Sequence, residues 1–288
     1  MPYSSSLIGL TSRPEACEVD NRWAMNYAAS IADESEILYD TRGGSVPVHP
    51  LFLSHPEWES QKLIRGKLGL TEAELSKGVQ VMQDTQIFKP LISGIRTVTT
   101  AKLIGVHRHR AGAFATMQND TSTEAGELLA TTISGAIFRD VAVEGEDRPP
   151  ALPARPALGQ TIGERVVRTI EVGATACHVY SECARIWNPI HTDLGIAETA
   201  GLPGLILHGT ATIAMAVSAI SDGVTGGDPR PVSRVSAELR AMVIVPTALT
   251  LSYQLYKAND GGQVAAYELA TQSGDLAIKN GIVAFAKR

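Results

Sequence analysis

The sequence has few cysteines, no long apolar run and no excess of basic residues, and each of these absences excludes a class of protein. Three cysteines among 288 residues are too few for a disulfide framework, and none of them has a metal-ligand spacing with another cysteine or a histidine. No apolar run approaches the roughly 20 residues that span a bilayer. The net charge is −5 and the basic cluster at residues 107–110 is short, so no nucleic-acid surface is indicated. We therefore expect no metal, no membrane anchor and no nucleic-acid partner.

Neither end of the sequence resembles a known targeting signal. The first ten residues lack the charged and long apolar regions of a secretory signal, and the last three, Ala-Lys-Arg, differ from the peroxisomal Ser-Lys-Leu. The small number of cysteines suits a reducing compartment. Together these observations predict a cytoplasmic protein.

Composition and length predict a globular protein of two parts. Apolar residues make up 44% of the sequence and charged residues 19%, which is ordinary for a soluble fold. The length is about twice the usual domain length of roughly 150 residues. A stretch with four prolines interrupts any regular period. We therefore predict an N-terminal domain at 1–143, a linker at 144–158 and a C-terminal domain at 159–288.

The pattern of apolar residues predicts one long helix and several strands in each part. Residues 21–32 have the spacing of an amphipathic helix, whereas residues 209–221 are apolar all round and should form a buried helix. Runs rich in Val, Ile and Thr predict strands at 94–106, 113–122, 128–138, 165–172, 233–239, 250–257, 263–271 and 276–285. This is an α+β fold in which two long helices are each wrapped by antiparallel sheet. Because neither part has enough strands to close its own edges, we expect one continuous sheet.

One loop and one helix start carry the residues best suited to chemistry. Residues 188–191 read Asn-Pro-Ile-His, and the proline disfavours a helical Asn188, which leaves Asn188 and His191 on a loop. Asp193 can cap the short helix that follows. Gly209 opens the apolar helix, so its backbone N–H can approach a substrate carbonyl closely and the helix dipole favours that contact.

These two segments, 188–191 and 207–210, resemble the motifs of the MaoC-like (R)-specific enoyl hydratase and acyl dehydratase family. The resemblance implies a double hot-dog fold with a catalytic C-terminal half and a non-catalytic N-terminal half. It also implies a hydro-lyase that hydrates an enoyl thioester or dehydrates a β-hydroxyacyl thioester. The acyl group would be carried on coenzyme A or a carrier protein, with no metal or redox cofactor. A homodimer is compatible with the resemblance.

The family motif runs Gly-Asp-x-Asn-Pro-x-His, and the present sequence departs from it at two positions. The resemblance assigns general acid/base catalysis to His191, a place in the catalytic loop to Asn188 and the oxyanion contact to the Gly209 N–H. However, the motif glycine falls on Arg185 and the motif aspartate on Ile186. An isoleucine cannot orient or deprotonate water, so the family's acid/base pair is incomplete here.

Two substitutes for the missing aspartate follow from the sequence. If the helix before the loop extends to Ile186, Glu182 lies one turn earlier on the same face and its carboxylate could reach the site. Otherwise His191 alone shuttles the proton. In the second segment, Thr210 is a substrate-binding candidate, and His208 is either a structural partner of the loop or a substrate contact.

Two other functions stay open. A non-catalytic acyl-binding or scaffold subunit is favoured by Ile186, whereas the presence of Asn188, His191 and Gly209 argues against it. A hot-dog thioesterase would need a carboxylate to activate water against the carbonyl.

Overall fold

The computed structural model describes residues 1–259 and 261–287; Asp260 and Arg288 lie outside the described residues. The helices are α1 Asn21–Ser30, α2 Ser54–Arg65, α3 Glu72–Leu75, α4 Ala176–Ala184, α5 Leu194–Thr199 and α6 Gly209–Thr225. The strands are β1 Tyr3–Ser4, β2 Glu15–Val19, β3 Gly78–Ile87, β4 Ile95–His109, β5 Gly112–Thr123, β6 Leu128–Arg139, β7 Val143–Glu144, β8 Thr161–Val172, β9 Val232–Leu239, β10 Thr247–Lys257, β11 Gln263–Ala270 and β12 Leu276–Phe285. Every predicted strand is present within a few residues of its expected bounds.

Ten of the strands in the described ranges form one sheet, in the order β2-β4-β5-β6-β3-β9-β12-β11-β10-β8. Neighbouring strands in this sheet are antiparallel, and β1 and β7 form a separate parallel pair. The two halves meet where β3 pairs with β9, from Met82 opposite Glu238 to Gln86 opposite Arg234. The α+β fold with one continuous antiparallel sheet is therefore confirmed.

The helix of the C-terminal half is α6, as predicted. Ala, Ile, Met and Val fill most of its positions, and nearly all of residues 211–221 are buried, where the helix packs against β8, β9 and β12. The helix ends at Gly226, whose φ of 66° is the left-handed conformation that favours glycine at a helix C-terminus.

In the N-terminal half, the helix that packs on the sheet is α2, and the prediction that the helix at 21–32 does so was wrong. The predicted helix exists as α1, but it packs beside α4. The buried face of α2 carries the polar residues Ser54, Glu57 and Ser60. Apolar periodicity does not reveal α2, because three of its five buried residues are polar.

Strand β3 was also missed, and for a related reason. Its sequence, Gly-Val-Gln-Val-Met-Gln-Asp-Thr-Gln-Ile, contains three glutamines and one aspartate, which are not typical strand residues. Gln83 and Thr85 are buried and hydrogen-bond each other at 3.3 Å. The strand is stabilised by its central place in the sheet rather than by its own propensity.

Residues 145–160 contain no helix or strand and pack along both halves. Arg148 exchanges backbone hydrogen bonds with Val106, at 3.1 and 2.8 Å, and Arg234 donates to the carbonyl of Ala154 at 2.7 Å. The division into 1–143, 144–158 and 159–288 stays a prediction. Among the described residues, no helix is both long enough and apolar enough to cross a membrane.

Candidate active site

A cavity of about 410 Å³ lies between the two halves. Its N-terminal wall comes from α2, β3, β5 and β6, and its C-terminal wall comes from the loop at 186–191, the start of α6 and residues 239–243. Five of the six site residues predicted from the sequence line it, namely Asn188, His191, His208, Gly209 and Thr210.

Glu182 does not line this cavity, which corrects the prediction that its carboxylate reaches the site. It is exposed on α4 and borders a separate depression with Asp20 and Arg22. The prediction required α4 to continue to Ile186, but the helix ends at Ala184 and the next residue, Arg185, has a left-handed φ of 54°. This turn separates the two side chains, so that Ile186 lines the cavity and Glu182 does not.

His191 is held in one tautomer by a backbone carbonyl. It ends the short 3-10 turn Pro189–His191, and the Asp193 side chain caps the following helix by accepting from Ile196 N at 3.0 Å. The Nδ1 atom lies 2.7 Å from the carbonyl oxygen of Ile206. A carbonyl only accepts, so Nδ1 carries the proton and Nε2 is left as the basic nitrogen. Burial lowers the pKa of His191 to about 4, against a smaller opposing effect of the bond to Ile206, so the ring is neutral at pH 7.

His208 supports the ring of His191. The two imidazoles stack with 3.7 Å between centroids and 24° between planes. Nε2 of His208 lies 3.3 Å from both the Ser181 hydroxyl and the Ile186 carbonyl oxygen. Burial, and secondarily the neighbouring His191, lower the pKa of His208 well below its ordinary value. Of the two roles left open by the sequence, this geometry favours that of a structural partner of the loop.

The start of α6 presents backbone donors to the cavity. The N–H groups of Gly209 and Thr210, which line the cavity, have no hydrogen-bond partner within the described part of the chain. The Thr210 hydroxyl accepts a hydrogen bond from Tyr180 at 2.9 Å, which fixes the first turn. Free N–H groups at the positive end of a helix dipole suit an oxygen that gains negative charge during a reaction.

Beside these groups, Ile186 and Asn188 complete the C-terminal wall. Ile186 is 7% exposed and belongs to the main cluster of buried apolar side chains. The Asn188 backbone carbonyl accepts from His191 N at 3.1 Å, whereas its carboxamide makes no hydrogen bond to the described residues. The carboxamide is thus free to contact a ligand.

Sequence reasoning missed one functional candidate, Glu57 on α2. Its side chain is 4% exposed and lines the cavity from the N-terminal half. Burial raises the pKa of Glu57 to about 8, against a smaller lowering by the Thr132 side chain. The sequence gives little signal for it, because Glu57 lies four residues beyond the apolar run of residues 50–53, Pro-Leu-Phe-Leu, in a polar segment where an acidic side chain is ordinary.

The rest of the N-terminal wall is also polar. Gln61 donates to Asn119 at 3.1 Å and to Ser134 at 3.2 Å. Arg65 and Arg139 line the cavity as well. Among residues 1–259 and 261–287, no cluster of three or more His, Cys, Asp or Glu side chains could hold a metal ion.

Comparison with known proteins agrees with this fold and site. Residues 157–274 match the family model of the MaoC like domain. A stretch of 168 residues is 26% identical to Enoyl-CoA hydratase 2, peroxisomal, of Arabidopsis thaliana, and covers 56% of this chain and 54% of that protein. A stretch of 256 residues is 23% identical to Peroxisomal multifunctional enzyme type 2 of Drosophila melanogaster, and covers 84% of this chain and 42% of that protein. The matches thus span about half the length of these curated relatives.

Solved structures show the same architecture. A MaoC-like dehydratase superposes with a TM-score of 0.83 at 17% identity, covering 98% of this chain and 99% of that one. A conserved hypothetical protein from Mycobacterium tuberculosis that has a double hotdog fold superposes with a TM-score of 0.65 at 11% identity, covering 96% of both chains. The predicted double hot-dog fold and the predicted family resemblance are confirmed.

Proposed function

Because residues 157–274 match the MaoC like domain, we propose that this protein is a hydro-lyase that adds water to an enoyl thioester or removes it from a β-hydroxyacyl thioester. The observation that carries the proposal is the pairing of two features in one cavity: a neutral His191 with its Nε2 free, and the unpartnered N–H groups at the start of α6. The name of the Arabidopsis relative, an enoyl-CoA hydratase, supports the substrate class.

In the direction of hydration, the thioester carbonyl accepts a hydrogen bond from the Gly209 N–H, which polarises the conjugated double bond. Nε2 of His191 takes a proton from water as the water oxygen bonds to Cβ. The imidazolium then gives that proton to Cα, so the elements of water are added and His191 is restored. Dehydration follows the same steps in reverse, because the polarised carbonyl acidifies the Cα–H bond.

The acyl group would be carried by coenzyme A or by a carrier protein. Arg65 and Arg139 line the cavity and offer positive charge to a phosphate of such a carrier. The chemistry consists of proton transfers on a thioester, and we therefore propose no cofactor besides the carrier. The cytoplasmic location and a homodimer stay predictions.

The two alternative functions fit the cavity less well. A thioesterase needs an ionised carboxylate, but Glu57 is the one acidic residue lining the cavity in the described part of the chain, and burial keeps it protonated at pH 7. A non-catalytic acyl-binding subunit has no need of an imidazole held in one tautomer beside free backbone donors.

The test is an assay of the purified protein with enoyl and 3-hydroxyacyl thioesters, in which mass spectrometry follows the gain or loss of water. We expect His191→Ala to lower turnover by at least ~10², the usual contribution of general acid–base catalysis, with little change in melting temperature. His109→Ala, on the exposed end of β4, is the matched control and should behave as wild type. Turnover of His191→Ala within a few-fold of wild type would remove His191 from the mechanism, and a wild-type protein that neither adds nor removes water would refute the proposed function.

A further inference from the structure

The cavity holds a carboxyl group that a one-base mechanism does not use. Glu57 lies in the first turn of α2, and its side chain lines the same cavity as His191 and Gly209. Its nearest counterpart in the family motif would be the aspartate, but that position is the apolar Ile186 on the opposite wall. The site therefore pairs the imidazole of His191 with one carboxyl group, although the two come from different halves of the chain.

The electrostatic environment of Glu57 includes a residue that holds the start of α6. It interacts electrostatically with the hydroxyl of Tyr180, and that hydroxyl donates to Thr210 at 2.9 Å. The ring of Tyr180 also lies 4.9 Å from that of His208, which in turn stacks on His191. Glu57, the α6 N-terminus and His191 thus face one cavity, and Tyr180 lies among them.

We propose that Glu57 is a second catalytic residue, which supplies from the N-terminal half the carboxyl group that the catalytic loop lacks at Ile186. The inference rests on the proposed function, and it changes the expectation that the N-terminal half is non-catalytic. A carboxyl group that is buried, lines a cavity and is kept neutral at pH 7 has the properties of a general acid.

The proton transfers balance with these two groups. In hydration, His191 Nε2 accepts a proton from water while the oxygen bonds to Cβ. The electron pair of the double bond takes up the Glu57 carboxyl proton at Cα, which leaves an imidazolium and a carboxylate. The imidazolium then returns its proton to the carboxylate through the open cavity, and both groups regain their starting states. Dehydration begins from the charged pair and runs backwards.

The charged and titratable groups that face Glu57 come from several elements. Tyr27 on α1 and Tyr180 on α4 interact with it electrostatically, and the Thr132 side chain on β6 opposes the rise of its pKa. The same cavity is also lined by His191, His208, Arg65, Arg139 and Arg240. Burial has the largest effect on its pKa and raises it to about 8, while burial lowers the pKa of His191 to about 4. Hydration needs a neutral imidazole and a protonated carboxyl group, so we expect activity to fall below a pH of about 4 and above a pH of about 8.

The test variant is Glu57→Gln, which keeps the shape and the neutral state of the protonated acid but has no transferable proton. We expect kcat for hydration to fall by at least ~10² with KM little changed, and the decline at alkaline pH to disappear. Glu59→Gln is the matched control, because Glu59 lies on the same helix, pairs with Lys62 at 2.8 Å and is absent from the cavity lining. It should keep the wild-type pH profile.

A second readout does not depend on catalysis. Since the folded-state pKa of Glu57 lies above the ordinary value of about 4.3, its stabilising contribution is complete below that pH and is lost as the pH rises to about 8. Glu57→Gln lacks this titration. The melting temperature of Glu57→Gln minus that of wild type should therefore increase as the pH is raised from 5 to 8.

The outcomes separate this inference from the proposed function. Wild-type kcat and an unchanged alkaline decline in Glu57→Gln would overturn the role of Glu57 and leave the hydro-lyase intact, and so would a rise in KM alone, which indicates binding. If Glu57→Gln fails to fold, Glu57→Asp decides: a displaced alkaline decline supports the inference and an unchanged one overturns it. A wild-type protein without hydratase or dehydratase activity refutes the proposed function itself.

Discussion

Ile186 occupies the position of the motif aspartate, and its surroundings are built for an apolar side chain. It belongs to the main buried cluster, and its carbonyl oxygen lies 3.3 Å from Nε2 of His208. The buried imidazoles of His191 and His208 are both kept neutral. A carboxylate at residue 186 would therefore find no cation among these two neighbours.

Restoring the motif by Ile186→Asp should destabilise the protein without improving turnover. An unpaired buried carboxylate costs several kcal/mol unless it is protonated. Its folded-state pKa would lie above the ordinary value of about 3.9, so the destabilisation should be present above that pH and be relieved below it. Denaturant unfolding across pH measures this effect, with Ile186→Asn as the uncharged control of the same size as the aspartate. A strong gain in hydratase activity would show instead that the site is an ordinary one that lost its aspartate by a single substitution.

At the scale of residues, the sequence predicts those site residues that lie in one contiguous motif. It misses those that reach the cavity only through tertiary packing. Asn188, His191 and Gly209 could be found because each lies in a short segment whose local geometry follows from proline and glycine. Glu182 was placed wrongly because helical spacing does not reveal the left-handed φ of Arg185, which ends the helix before Ile186. Glu57 becomes a cavity residue only when the two halves pack together.

At the scale of elements, the sequence predicts those whose buried faces are apolar. Helix α6 and the strands rich in Val, Ile and Thr were predicted close to their observed bounds. Helix α2 and strand β3 were missed because several of their buried side chains are polar, such as Thr85 of β3, which hydrogen-bonds Thr132 of β6 at 2.9 Å. Those two elements form much of the cavity's N-terminal wall, so the local departures from the usual pattern coincide with the candidate site.

Residue 209, the first of α6, should not tolerate a side chain larger than that of glycine. A Cβ at residue 209 would lie 2.5 Å from Leu239 Cδ1 and 3.3 Å from Gln80 Oε1, so Gly209→Ala forces either the helix start or Leu239 to move. Overpacking of this kind costs about 1–3 kcal/mol. A displaced backbone donor lowers turnover by about 10²-fold. Melting temperature and steady-state kinetics measure the two effects.

Gly223→Ala on the same helix is the matched control. Its Cβ would lie 2.4 Å from the Tyr253 hydroxyl, so overpacking is expected there as well, but the position is about 21 Å along the helix axis from Gly209. It should lose stability and keep its turnover. Equal losses of turnover in both variants would show that Gly209 acts through stability alone.

At the scale of the whole molecule, the two halves are joined by sheet pairing, by a common core and by a buried ion pair. Strands β3 and β9 are hydrogen-bonded neighbours, and the main apolar cluster draws side chains from both halves, including Tyr27 and Tyr180. Beside the joint, Arg234 on β9 binds Asp84 on β3 through two bonds of 2.8 and 2.6 Å. The cavity lies between the halves, so its geometry depends on this joint. The sequence predicted the continuous sheet, but not the strand that makes the connection.

Removing one member of the buried pair should weaken the joint strongly. The side chains of Arg234 and Asp84 are 10% and 13% exposed, so Arg234→Met leaves a carboxylate without its partner in a largely buried place. Loss of one partner of a buried pair costs about 3–5 kcal/mol, whereas Arg96→Met, at an exposed pair with Glu18, should cost less than about 1 kcal/mol. Adding Asp84→Asn to Arg234→Met removes the unpaired charge and should recover much of the loss.

Because the sheet is continuous, we expect every variant to unfold in one transition that takes both halves together. Denaturant unfolding at pH 7 measures these differences, and a loss at Arg234 no larger than that at Arg96 would show that the β3–β9 pairing and the shared core hold the halves together without help from the ion pair.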